Sequence, residues 1–219
     1  MEKNFKIQNK LKIQNKLYKK AYLNAYLEII IGPMFSGKTS KLIEIAKQCK
    51  ICDIPYIIIN HSFDDRFNNI KDSVMSTHDN ITITCSYTNK LENIWETLKK
   101  TDIDVILINE GQFFPDLYDY VEKMIFLNKQ IYVAGLDGDF ERKQFGKILD
   151  LIPLCDKVTK LNSLCGICKD GSPGIFSMRI SEETEQLVIG SNNYKSVCRK
   201  CYELFVKKNM ILLSSLNNI

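Results

Sequence analysis

No apolar run in the 219 residues approaches the roughly 20 needed to span a membrane. The basic N-terminus has no continuous apolar core, so a secretory signal is not expected. These absences predict a soluble intracellular protein, placed in the cytoplasm, with no membrane partner. Histidine is scarce. Its two copies, His61 and His78, stand outside any motif and are assigned no role. Residues 162–204 also lack a basic, aromatic-rich surface. Their charges are mixed, with SEETEQ at 181–186, which argues against nucleic acid.

The net charge is +4, and residues 1–20 alone carry +6 from seven lysines and one glutamate. The basic excess is therefore a local arm rather than a binding face. KIQNKL occurs at 6–11 and again at 12–17, and AYLN at 21–24 is followed by AYLE. Residues 1–25 read as a low-complexity extension, expected to be disordered.

From Tyr26 the pattern alternates between strands and helices. YLEIII reads as a buried strand and Ser40 to Lys50 as a helix with Leu42, Ile45, Ala46 and Cys49 near one face. Strands follow at Tyr56 to Asn60 and Ile81 to Cys85, then a helix at Leu91 to Lys100. Val105 to Ile108 reads as a doubly buried strand, Asp116 to Leu127 as a helix and Gln130 to Leu136 as a strand. This order predicts an α/β fold with a mainly parallel sheet flanked by helices. The expected organisation is a nucleotide-binding domain at 26–161 and a smaller unit at 162–219 ending in a tail.

Gly32-Pro33-Met34-Phe35-Ser36-Gly37-Lys38-Thr39 matches GxxxxGK[ST] in full. Such a loop curls main-chain N–H groups around phosphate oxygens. Its lysine meets the β- and γ-phosphates, and its threonine hydroxyl can ligate Mg²⁺. The motif gives nucleotide binding and leaves the acceptor open. Val105 to Ile108 should end beside this loop, which puts Asn109 and Glu110 at the crevice. Glu110 can take a proton from an attacking hydroxyl or orient a water or Mg²⁺. Asn109 is neutral and a weaker partner for magnesium than a carboxylate.

Eight cysteines are many for a chain of this kind. Cys165, Cys168, Cys198 and Cys201 form two CxxC pairs separated by 29 residues. Four thiolates at this spacing suit a closed, structural zinc site. Cys49 and Cys52 also read CxxC, but without a second pair they read as packing residues.

Taken together, these motifs resemble those of the type II thymidine kinases, which join a phosphate loop to a zinc-bound lasso. The shared residues are GPMFSGKT at 32–39, Asp64 and Arg66 of a DxR, and THD at 77–79. EGQFFPD at 110–116, LDGDFERKQFG at 136–146 and both CxxC pairs complete the set. The resemblance spans about 27 to 204. It implies transfer of the ATP γ-phosphate to the 5′-hydroxyl of thymidine, and also of deoxyuridine, within a homotetramer. It makes Glu110 the base, with Arg66 and Lys38 steadying phosphate charge. It assigns residues 32–39, Asp64, Arg66, Asn109 and Gln112 to ATP. It assigns Met34, Phe113, Leu136, Phe140, Ser177, Val188, Ile189, Gly190 and Tyr194 to the nucleoside. Three departures stand out. Asn109 replaces the usual aspartate, KDGSPG at 169–174 is slightly long, and Gln144 stands where proline is frequent. The first raises a second reading, a nucleotide-binding protein of this fold with weakened catalysis.

Overall fold

The computed structural model describes residues 25–62, 74–76, 82–181, 183–188 and 190–216. The expected N-terminal arm lies almost wholly outside the described residues. So do Asp64, Arg66, His78 and Ile189.

The main sheet has six strands, all parallel in their pairings. They are β1 (Tyr26–Ile31), β2 (Tyr56–His61), β5 (Ser86–Thr88), β6 (Val105–Ile108), β7 (Gln130–Gly135) and β8 (Lys157–Lys160), in the order β5-β2-β6-β7-β1-β8. The central strands β1, β6 and β7 are apolar runs because both faces are covered. Helix α1 (Lys38–Ile51) buries Leu42, Ile43, Ile45, Ala46 and Cys49 against one face, with Ile30, Ile58 and Leu107. On the other face Leu98 of α2 (Glu92–Lys100) and Leu117, Val121 and Met124 of α3 (Leu117–Phe126) pack with Ile29, Ile106 and Val133.

The strand expected at Ile81 to Cys85 forms, and a further short strand that the sequence reading did not single out follows it directly. β4 (Thr82–Thr84) pairs antiparallel with β3 (Val74–Ser76), whereas β5 joins the main sheet beside β2. The chain changes partner at the buried Cys85. Alternating Ile and Thr signals a strand but does not say which sheet takes it. Asp116, expected as the first residue of α3, has another task. Its carboxylate accepts from the N–H groups of Leu91 (3.2 Å) and Glu92 (2.9 Å), capping α2 from a distant segment.

Beyond β8 the elements are short. β9 (Ser163–Leu164) pairs with β10 (Pro173–Gly174), and β11 (Phe176–Arg179) pairs with β12 (Tyr194–Val197), both antiparallel. Met178, Val197 and Tyr202 form a small core together with Cys165. The chain then runs into helix α4 (Arg199–Leu216), where the sequence suggested a tail.

Candidate active site and metal centre

The phosphate loop connects β1 to the N-terminus of α1, whose dipole favours an anion there. Gly32 has φ +152°, and a Cβ on it would stand 2.3 Å from the Leu161 carbonyl oxygen. Only glycine fits there. Lys38 Nζ donates to the Pro33 carbonyl at 2.7 Å, so the ammonium folds back over its own loop. Two serines from the β11–β12 hairpin hold the loop's outer limb. Met34 N–H donates to Ser177 Oγ at 2.9 Å, and the Ser196 hydroxyl donates to the Met34 carbonyl. Ser177 and Ser196 are opposite one another in that hairpin. Ser177, expected at the nucleoside, thus also grips the phosphate loop.

β6 runs parallel to β2 and β7, and Asn109 and Glu110 follow its last residue. Asn109 is 2% exposed. Its Nδ2 donates to Asn60 Oδ1 at 3.0 Å, and its Oδ1 accepts from the Thr39 hydroxyl at 3.4 Å. Asn60 Oδ1 also accepts from the His61 N–H at 3.1 Å. The amide is therefore oriented, with its oxygen toward the one hydroxyl of the loop that can ligate magnesium. An amide oxygen and a hydroxyl are hard oxygen donors of the kind Mg²⁺ takes, usually alongside several waters.

Glu110 sits in the left-handed region at φ 54°, an uncommon conformation for this residue that gathers at functional sites. It turns the chain out of β6 into a single helical turn, Gly111–Phe113. Gln112 Nε2 donates to Glu110 Oε2 at 2.7 Å, and Gln112 Oε1 accepts from the Leu136 N–H at 3.0 Å. Both ends of this buried amide are thus engaged within the chain. Gly146 is why Gln112 can pass. It has φ +60°, and a Cβ there would stand 2.0 Å from the Gln112 carbonyl oxygen. Sequence matching assigned Gln112 to ATP. In the structure its side chain bridges the Glu110 carboxylate and the Leu136 N–H.

Phe113 packs between His61, at 5.5 Å between ring centroids, and Phe145, also at 5.5 Å. Burial pushes His61 below the usual imidazole range, which favours its neutral form beside these rings. Phe140 lies in the loop after β7, where the Asp139 carboxylate accepts from the N–H groups of Glu141 and Lys143, each at 2.9 Å. The Tyr202 hydroxyl donates to the Phe140 carbonyl at 2.8 Å. Gln186 Nε2 donates to Asp139 Oδ2 at 2.8 Å, and the Tyr194 hydroxyl donates to the Val188 carbonyl at 3.1 Å. These bonds bring the expected nucleoside residues Phe140, Val188 and Tyr194 into one hydrogen-bonded assembly. Gly190, with φ +121°, lies at its turn.

Sγ atoms of Cys165, Cys168, Cys198 and Cys201 lie within 4.8 Å of one another, and the Cys168–Cys198 pair is at 4.0 Å. Tetrahedral zinc with Zn–S near 2.3 Å needs sulfurs about 3.8 Å apart, so the donor set and spacing fit. Burial alone would raise the Cys165 thiol. Main-chain hydrogen bonds at Cys168, Cys198 and Ile167 outweigh it and bring it down to about 6, whereas the hydrogen bonds to Asp170 and Cys165 push Cys168 up to about 12 and burial raises Cys201, so the protons are shared unevenly within the cluster. The Gly166 N–H donates to the Ser196 carbonyl at 2.8 Å, which links this knuckle to the serine that holds Met34.

A parallel sheet, a complete phosphate loop before a helix and a carboxylate beside it define a P-loop nucleotide-binding protein, here with a four-cysteine metal knuckle. A family model described as thymidine kinase matches residues 25–202. Curated relatives include the thymidine kinase of myxoma virus (strain Uriarra), 42% identical over 83% of this chain and 98% of that protein. Those of sheeppox virus (strain KS-1) and vaccinia virus (strain Ankara) are 44% and 43% identical. They align over 82% and 81% of this chain, and 97% and 96% of their own lengths. The chain belongs to the thymidine kinase family.

Proposed function

We propose that the protein transfers the γ-phosphate of ATP to the 5′-hydroxyl of thymidine, and of deoxyuridine, supplying thymidylate for DNA synthesis. The observation that carries this is Glu110. In a chain of this family it leaves β6 beside the phosphate loop, with one carboxylate oxygen held by Gln112. In the reading we favour, Glu110 accepts the proton of the nucleoside 5′-hydroxyl as that oxygen attacks the γ-phosphorus. The bond from the γ-phosphorus to the bridging oxygen breaks, and ADP leaves. Such a transition state needs positioning and charge neutralisation more than covalent help. Lys38 and the N–H groups of residues 32–39 receive the phosphates, and the family resemblance adds Asp64 and Arg66. Thr39, with Asn109 behind it, would hold Mg²⁺, which when bound neutralises charge on the β- and γ-phosphates. Met34, Phe113, Leu136 and Phe140 wall the base. Ser177, Val188, Ile189, Gly190 and Tyr194 complete its pocket from the lasso.

The cysteine knuckle holds structural zinc and has no open position for substrate. We assign residues 26–161 to the nucleotide-binding unit and 162–219 to the zinc and lasso unit. A cytoplasmic homotetramer is the expected assembly, checked by sedimentation. The orientation of Asn109 toward Thr39 supports a functioning magnesium site, and no observation favours the weakened binder. Purified protein with ATP, Mg²⁺ and thymidine tests the proposal. Formation of thymidine monophosphate supports it, and its absence overturns it.

A further inference from the structure

Arg179 closes β11 and is 4% exposed. A guanidinium buried this deeply must be compensated. Among the described residues its hydrogen bonds go to neutral groups. Nη1 donates to the main-chain carbonyls of Glu183 (3.0 Å) and Glu185 (2.5 Å). Nη2 donates to the Gln186 carbonyl (3.1 Å) and the Tyr194 hydroxyl (2.6 Å). The guanidinium carbon stands 3.8 Å from the centroid of Phe140 and 5.2 Å from that of Tyr194. Among the described residues the positive charge is thus met by three peptide dipoles and two aromatic faces, with the Glu183 carboxylate also within its electrostatic reach.

The carbonyls belong to the loop between β11 and β12, and those at 183, 185 and 186 follow one another closely. A single cation therefore gathers the loop's outgoing limb. Tyr194 extends the grip, since its hydroxyl accepts from Arg179 and donates to Val188. Phe140 ties the same cation to the loop after β7, where Gln186 also binds Asp139. The loop has little apolar burial of its own, because Glu183, Thr184, Glu185, Gln186 and Leu187 are all exposed. Its placement rests on polar contacts, and Arg179 supplies most of those described.

We infer that Arg179 is the positioning residue that holds the 183–188 loop shut against the Phe140 loop, and so sets the affinity for the nucleoside base without touching the phosphates. This rests on the proposed thymidine kinase reading, but the grip itself can be measured apart from activity. Lysine keeps the charge at 179 but offers a compact ammonium in place of a planar fork. It cannot span the same four acceptors.

The test compares the full-length, zinc-loaded protein with Arg179→Lys by two readouts. The first is steady-state kinetics. KM for thymidine should rise about tenfold, the effect of losing charge-assisted hydrogen bonds, while kcat stays within about threefold. ATP affinity, measured by calorimetry, should not change. The second is cleavage by a glutamate-specific protease. The scissile bonds after Glu183 and Glu185 carry the very carbonyls that Arg179 holds. Cleavage there should be at least several-fold faster in the variant. Unchanged cleavage would overturn the grip, and faster cleavage with an unchanged thymidine KM would overturn its role in binding. If Arg179→Lys loses zinc or fails to fold, Tyr194→Phe decides the grip by the protease readout alone, because Tyr194 itself belongs to the proposed base pocket; faster cleavage after Glu183 and Glu185 is expected, and no change would overturn the inference. Should the unmodified protein neither bind nor phosphorylate thymidine, the functional reading and the role in base binding fail together, and the protease comparison still decides the grip.

Discussion

At the scale of single residues, the catalytic interest lies in two neighbours with different tasks. Glu110 carries the carboxylate that Gln112 binds, and Asn109 faces Thr39 from the same strand end. Asn109→Asp should lower the Mg²⁺ concentration for half-maximal rate, since a carboxylate attracts the cation more strongly than an amide oxygen. It should also lower stability by about 1 kcal/mol, because Asn60 Oδ1 would face another acceptor in a buried site. Magnesium titration of the rate and urea denaturation measure the two effects. The sequence singled out both residues through the apolar run before them. It did not show what Gln112 and Arg179 do. Their partners lie on other segments, Leu136 across the sheet and Glu183 to Gln186 in an irregular loop, and no local periodicity encodes such pairs.

At the scale of elements, strand β1 contains an exception to its apolar pattern. Glu28 is buried at its centre, where its carboxylate accepts from the Thr159 hydroxyl (2.6 Å), the Tyr26 hydroxyl (3.1 Å) and Lys157 Nζ (3.1 Å). Burial alone would raise this carboxyl. The hydrogen bonds from Thr159, Lys157 and Tyr26 outweigh it and hold Glu28 below the usual carboxylate range. For Tyr26, burial first and then the bond to Glu28 push the phenol up to about 12. A carboxyl depressed by folding stabilises the protein above its unfolded value and loses that contribution as pH falls through its folded one. Glu28→Gln should therefore cost about 1–2 kcal/mol at pH 7, and the gap from the unmodified protein should narrow below about pH 4. Paired denaturation curves across that range check it. Most helices and strands were legible because doubly covered strands and one-faced helices write simple patterns. The exceptions are instructive. At Cys85 the chain changes sheets, and α4 continues beyond the metal pair; neither β5 nor the length of that helix was read from the sequence.

At the scale of the whole molecule, two hydrogen-bonded routes join the cysteine knuckle to the nucleotide crevice. One runs from Gly166 through Ser196 to Met34, and the other from Tyr202 to the Phe140 loop. Among the described residues this unit buries only a few apolar groups, and a metal held by the four cysteines would add folding energy. Removing zinc with a chelator should therefore lower the melting temperature by about 5 °C or more and weaken ATP as well as thymidine binding. Re-addition of zinc should restore both. Because thiols must lose protons to bind, release should also become easier as pH falls. Scanning calorimetry with metal analysis measures this. The cysteine spacing made the metal centre legible in the sequence. Its connection to the phosphate loop was not, since Ser177 and Ser196 reach Met34 only once the hairpin is folded. Among the described residues no helix is long and apolar enough to cross a membrane.

The central claim is that Glu110 serves as the base for transfer from ATP to thymidine, and single-turnover phosphorylation by Glu110→Gln tests it most directly. With ATP, Mg²⁺ and thymidine saturating, the rate should fall by roughly 10² to 10⁴, the usual effect of removing a general base, while ATP and thymidine still bind. A variant that transfers phosphate within about threefold of the unmodified rate would contradict the account.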